Sequence, residues 1–113
     1  MAAYLMVRAT LANLRDRLAF DDWYQKEHLP DAMKAFGVRS AWRAWSQTEP
    51  TVHCAFYRFG SLEDAASAVT GSAIQVLIAE FDRCWGDKVT RTREVLTVAD
   101  ERSEPGQAIP VSI

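Results

Sequence analysis

A histidine at position 28 stands two residues before Pro30, with Tyr24 four residues behind it and Asp31 three ahead. Imidazole titrates near neutral pH, so His28 can take or give a proton in a small apolar pocket with no cofactor to help it. On a helix the i−4 and i+3 neighbours share a face, which brings Tyr24 and Asp31 within reach of the ring and points Glu27 elsewhere. The same residue has a structural reading. Pro30 frees a backbone carbonyl, and the imidazole can satisfy it and pin the helix to a sheet. Trp23 and Tyr24 either line a pocket with His28 or are plain core aromatics between helix and sheet.

Further candidates lie on strands. Trp42 and Trp45 fall on opposite faces of one strand, so one of them faces helices; either can stack on a planar ligand or simply pack. His53 and Tyr57 share a strand face and can place a donor and an acceptor near a cavity, unless His53 is a solvated edge residue. Glu27 and Asp31 share a helix face as paired carboxylates do in acid/base sites, with ion pairing to Arg39 or Arg43 as the simpler account. Arg91 and Arg93 alternate on one face of the last strand, where they can hold an anion or join cross-strand charge pairs. Metal binding is not expected, because His28 and His53 come from separate elements and no carboxylate/His motif accompanies them. Cys54 and Cys84 form no Cys-x-x-Cys pair and read as small hydrophobes in a reducing compartment.

The chain has 113 residues, enough for one modest core. With 13 Lys+Arg against 15 Asp+Glu, its net charge is −2 and it has no basic footprint for a phosphate backbone, so no nucleic-acid partner is expected. No apolar run approaches the roughly 20 residues that cross a bilayer, and the start of the chain lacks a signal-peptide pattern, so no membrane partner is expected and residence in the cytoplasm is.

These side chains must be positioned by short alternating elements. Residues 3 to 11 read as a first strand. A helix is predicted from Asp16, as its N-cap, to Phe36, closed by Gly37 and kinked or broken at His28-Leu29-Pro30, with Leu29 pushed off helical angles. Residues 38 to 46 and 52 to 59 read as strands two and three, the latter apolar enough for a central position. Ser61 caps a short helix from Leu62 to about Thr70, and Ser72 caps a longer one from Ala73 to Trp85, stopped by Gly86. Residues 88 to 99 form the last strand. The domain is thus residues 1 to 99, and residues 100 to 113 are a tail, mobile or docking Ile109, Val111 and Ile113 on a partner subunit.

The order strand, helix, strand, strand, helix, strand is a double split βαβ unit, an α+β ferredoxin-like arrangement with helices on one face of a four-stranded antiparallel sheet. The other face then carries several of Met6, Trp42 or Trp45, Phe56 or Tyr57, and Val95. That is too much apolar surface for a monomer to leave wet, so a two-fold homodimer is expected.

The segment from Phe20 to Met33, with Phe36-Gly37-Val38 after it, resembles the first helix of the dimeric α+β barrel superfamily, and more narrowly its EthD-like branch, where an aromatic residue, a spacer and a His-x-Pro precede a Gly-containing turn. Glu80 to Asp87 is similar to the end of the second helix in such proteins, and the element order agrees over residues 3 to 98. The resemblance implies a dimeric α+β barrel. Its functional implication is broad, since the superfamily includes cofactor-free monooxygenases, muconolactone-type isomerases, haem-degrading enzymes and small lyases. The Asn/Trp/His pattern of haem degraders is not recognisable, which disfavours haem. Two functions follow. One is a cofactor-independent isomerase, lyase or oxygenase acting by proton transfer on a small hydrophobic or aromatic molecule, with His28 as acid/base and Trp23, Tyr24, Asp31, Trp42, His53 and Tyr57 as the residues offered to substrate. The alternative is a non-catalytic dimer that binds a small molecule or stabilises a larger assembly.

Overall fold

The computed structural model describes residues 1–102. Four strands, β1 (Ala3–Leu11), β2 (Ala41–Trp45), β3 (Val52–Phe59) and β4 (Val89–Thr97), form one antiparallel sheet in the order β2-β3-β1-β4. Helical segments α1 (Arg17–Trp23), α2 (Leu29–Phe36), α3 (Leu62–Thr70) and α4 (Ser72–Trp85) fill the two crossovers. This is the ferredoxin-like α+β arrangement. Among the described residues no helix is long and apolar enough to cross a membrane.

Period-two alternation divides the sheet cleanly. Odd-numbered positions face the helices: Leu5, Ala9 and Leu11 of β1 and His53, Ala55, Tyr57 and Phe59 of β3 are all buried. Even-numbered positions form the open face. The ladders align Met6 with Phe56 and Phe56 with Trp42, whose rings stack at 4.1 Å. Tyr4 meets Phe56 edge-on. Val95, expected on this face, pairs with Leu5 on the helix side, and Leu96 takes the open position beside Tyr4. Trp42 and Phe56 are the outward members of their pairs; Trp45 and Tyr57 point inward.

The helix through His28 differs from expectation. Pro30 neither breaks it nor distorts Leu29, which keeps helical angles of φ −62° and ψ −49°. The backbone instead widens into a π-helical turn over Tyr24–His28, and the Leu29 N–H reaches back five residues to the Tyr24 carbonyl. Pro30 thereby enters as one of the first residues of α2, where its missing N–H is not needed. Asp16 makes no capping bond; the start is capped by Asn13, whose Oδ1 accepts from the Arg15 N–H at 3.0 Å above a 3-10 turn (Leu14–Asp16).

At the other end Gly37 adopts φ +67°, its N–H bonds the Lys34 carbonyl, and the Val38 N–H bonds that of Met33. This cap consumes Val38, which is why β2 begins at Ala41 and not at residue 38. Ser61 caps α3 through the Asp64 N–H at 3.1 Å as its spacing predicts, whereas Ser72 is the first residue of α4 and makes no side-chain cap. The proposed docking residues Ile109, Val111 and Ile113 lie outside the described residues.

Candidate active site

The π turn decides what surrounds His28. Its wide winding brings i and i+5 side chains together, and Trp23, five residues before His28, lies flat on the imidazole with centroids 4.7 Å apart and planes 20° apart. Tyr24 and Phe81 close two further sides edge-on, at 4.8 and 5.4 Å. His28 as a residue is 9% exposed. Among the described residues its ring makes no hydrogen bond, so the proposed bond to a carbonyl freed by Pro30 is not formed. The Asp31 contact is absent as well: Asp31 is exposed on the rim of the same groove, and the carboxylate that His28 feels is Glu80 of α4.

Burial first, and then the positive charge of Arg91, lower the His28 pKa to about 4, with Glu80 opposing weakly. At neutral pH the imidazole is uncharged and has a lone pair to offer. It stands where two spaces meet. Outside is a groove of about 840 Å³ between α1/α2 and α4, walled by Trp23, Leu77 and Ala79 and rimmed by Glu27, Asp31 and Lys34. Inside is a cavity of about 30 Å³ between helices and sheet, reached by Tyr57, Phe81, Arg91 and Arg93.

Behind His28 lies a buried polar chain. The Tyr24 and Tyr57 hydroxyls are 2.9 Å apart, and desolvation raises both pKa values, that of Tyr57 to about 12, so each stays protonated. His53, 1% exposed and therefore no edge residue, packs against the Tyr24 ring at 4.5 Å. Its Nε2 is 3.3 Å from Arg43 Nη1, and its Nδ1 is buried with no partner among the described residues. An arginine is only a donor, so Nε2 accepts and the free proton sits on Nδ1. Desolvation, followed by Arg43, lowers the His53 pKa to about 4.

Arg43 is anchored at 2.8 Å by Asp21, which also accepts from the Trp45 indole at 2.8 Å; the Trp45 bond and then Arg43 hold the Asp21 carboxyl below its ordinary range. Arg43 thus pairs with Asp21 and not with the Glu27 or Asp31 proposed for it. Trp23, Tyr24, His53 and Tyr57 therefore converge with His28 on the helix side. Trp42 does not: half exposed at 50%, it lies on the opposite face of the sheet. Asp21 and Phe81 are brought to this cluster without having been expected there, whereas Trp45 and Arg91, candidates for a planar ligand and for an anion, are found beside it. The signal for Asp21 was available, since it lies on the same predicted helix as His28, but its partner Arg43 is fixed only by the β2-β3 register.

No family model matches the chain, and no curated protein sequence does. Solved structures do match. A variant of SnoaB, a cofactor-independent oxygenase from Streptomyces nogalater, superposes with a TM-score of 0.67 at 9% identity over 91% of this chain and 98% of its own. An ethyl tert-butyl ether D (EthD) family protein from Bacillus halodurans gives 0.59 at 19% identity, over 83% and 97%. A dimeric ferredoxin-like protein from an uncultured marine organism gives 0.55 at 16%, over 89% and 98%. At such identities the likeness is one of fold: the chain has the ferredoxin-like α+β fold of a set of proteins that includes a cofactor-independent oxygenase, an EthD family protein and a dimeric member.

Proposed function

We propose that the chain is one subunit of a homodimeric, cofactor-independent enzyme that moves a proton on a small hydrophobic or aromatic molecule, with His28 as the proton acceptor. The observation that carries this reading is an imidazole kept neutral, free of hydrogen bonds among the described residues, and set at the junction of a groove and an inner cavity. The fold shared with SnoaB, described as a cofactor-independent oxygenase, supports it.

In this reading Trp23 supplies a flat wall for a planar substrate, and His28 takes a proton from an acidic C–H or O–H. The electron pair left behind moves onto a substrate oxygen. The imidazolium so formed is disfavoured by burial and by Arg91, and is stabilised only while the new anion stays beside it. The acid is then poised to return the proton to another atom, which is the elementary step of an isomerisation or elimination.

His28→Leu keeps apolar volume and tests the role separately from the fold. The variant is expected to unfold within a few degrees of the parent yet bind the neutral probe 1-naphthamide at least about 10-fold more weakly by tryptophan fluorescence, roughly 1.4 kcal/mol. Unchanged binding, or global destabilisation, would favour a structural histidine.

The second subunit is inferred from the open face, where Tyr4, Met6, Phe56 and the half-exposed Trp42 form a continuous apolar surface rimmed by the ion pairs Arg8–Glu49 and Arg58–Glu101. The dimeric neighbour supports this. Sedimentation at micromolar concentration is expected to give twice the 12.7 kDa subunit mass, and Trp42→Glu to give the single mass. A compact lone subunit in the parent protein contradicts the dimer.

A further inference from the structure

The inner cavity is apolar on most sides, with Leu5, Leu77 and Ile78 in its wall, yet two guanidinium-bearing side chains, Arg91 and Arg93, also line it and no carboxylate does. Both come from helix-facing positions of β4. The Arg91 side chain is only 16% exposed and lies over the Phe81 ring at 3.8 Å. Its one side-chain hydrogen bond among the described residues runs outward to the exposed Asp82 at 2.7 Å and occupies a single nitrogen. Arg93 makes no ion pair among the described residues and also lines a neighbouring opening of about 190 Å³, whose rim includes Glu94. Arg91 is mostly buried and spends one nitrogen on an external carboxylate, and Arg93 is exposed and pairs with none among the described residues, so both guanidiniums keep N–H donors for a ligand at this wall.

We infer that the site takes an anionic substrate, an aromatic or hydrophobic carboxylate whose head group passes His28 to meet Arg91 and Arg93 while its ring lies in the groove against Trp23. This rests on the proposed reading of the groove as a binding site and names the class of molecule it accepts. The dimensions agree. About 30 Å³ holds one or two water-sized groups, hence a carboxylate and not a ring, whereas the groove of about 840 Å³ accommodates the body. A planar carboxylate matches the fork of a guanidinium in a way that a neutral amide or hydroxyl does not. A bound carboxylate also offsets the Arg91 charge that helps keep His28 deprotonated, so substrate binding itself raises the basicity of the imidazole.

The test compares 1-naphthoate with its neutral isostere 1-naphthamide on the full chain, by tryptophan fluorescence titration. The parent protein is expected to bind the acid at least about 10-fold more tightly than the amide. Arg91→Gln and Arg93→Gln should each erase most of that preference, read as the ratio of acid to amide affinity within the same variant. If Arg91→Gln does not fold, Arg93→Gln decides, because Arg93 is exposed and its replacement leaves no buried charge unpaired. Equal affinity for acid and amide in the parent protein overturns the anionic class and leaves the groove reading standing. A preference that survives in Arg93→Gln removes the assignment to this wall. Failure of both probes to bind overturns the inference together with the reading beneath it.

Discussion

Phe20→Ala is expected to cost about 3–5 kcal/mol, the loss typical of emptying a buried phenylalanine site. Phe20 has no exposed surface and stands at the joint of helix and sheet. Six rings surround it with centroids 5.1 to 6.0 Å away: Trp23 and Tyr24 from its own helix, Trp45 and His53 from the sheet, and Phe81 and Trp85 from α4. Edge-on and tilted contacts of this kind add to area burial, and no neighbour is free to collapse into the hole without leaving another contact. A domain of this size has roughly 5–15 kcal/mol in all, so the variant should be near the edge of folding. The measurement is the urea midpoint at unchanged m-value. A loss below about 1 kcal/mol would mean that the aromatic cluster is loosely packed, and with it the seat of Trp23 and His28.

Acid should destabilise the protein well before its carboxylates are titrated. His28 and His53 have folded pKa values near 4 against 6.5 for the free side chain, in both cases chiefly through burial. Above pH 6.5 neither the folded nor the unfolded chain protonates them, and they add no pH dependence. Between 6.5 and 4 only the unfolded chain binds the protons, so stability falls as pH falls; below about 4 both states bind them and the fall levels off. Each ring is worth about 3 kcal/mol over that window, and a charge on His28 further disfavours protonation of His53. Asp21, held below its ordinary range by Trp45 and Arg43, remains ionised through most of it. Urea midpoints at pH 7.5, 6.5, 5.5 and 4.5 should therefore decline, and His28→Leu should remove about half of the slope. A flat profile over these pH values contradicts the buried neutral state of both rings.

The parts of the fold that were legible in the sequence are those fixed by local chemistry. The β1 and β3 boundaries follow from alternation, the Ser61 cap from its spacing to Asp64, and the ends at Gly37 and Gly86 from residues that tolerate positive φ, here +67° and +50°. The π turn was not legible. A proline within a helical pattern announces a lost hydrogen bond, but whether the chain kinks, breaks or widens depends on what the helix packs against. Here a continuous helix keeps Phe20, Tyr24 and Ala32 all in the core, which a break at His28 would forfeit.

The site was legible only in part for a related reason. His28, Trp23 and Tyr24 are neighbours along one segment, so proximity in sequence carried them. The inward choice of Trp45 over Trp42, and of Tyr57 over Phe56, rests on strand registers that pair Trp45 with His53 and Leu5 with Tyr57. Two tryptophans three apart on a short strand give no preference for either face. Arg43 with Asp21, and Arg91 beside the cavity, depend on the same registers, and arginines on a strand read equally well as surface charge until the helices are laid over them.

Proton transfer at this site requires an uncharged His28 that a small molecule can reach. Long-range ¹⁵N–¹H correlations of the histidine rings, followed from pH 8 to 3.5, measure that state directly. The predicted result is a neutral imidazole at pH 6 with a midpoint near 4, and a ring signal that moves on addition of 1-naphthoate. A midpoint between 6 and 7, or a ring unmoved by any aromatic probe, would contradict it.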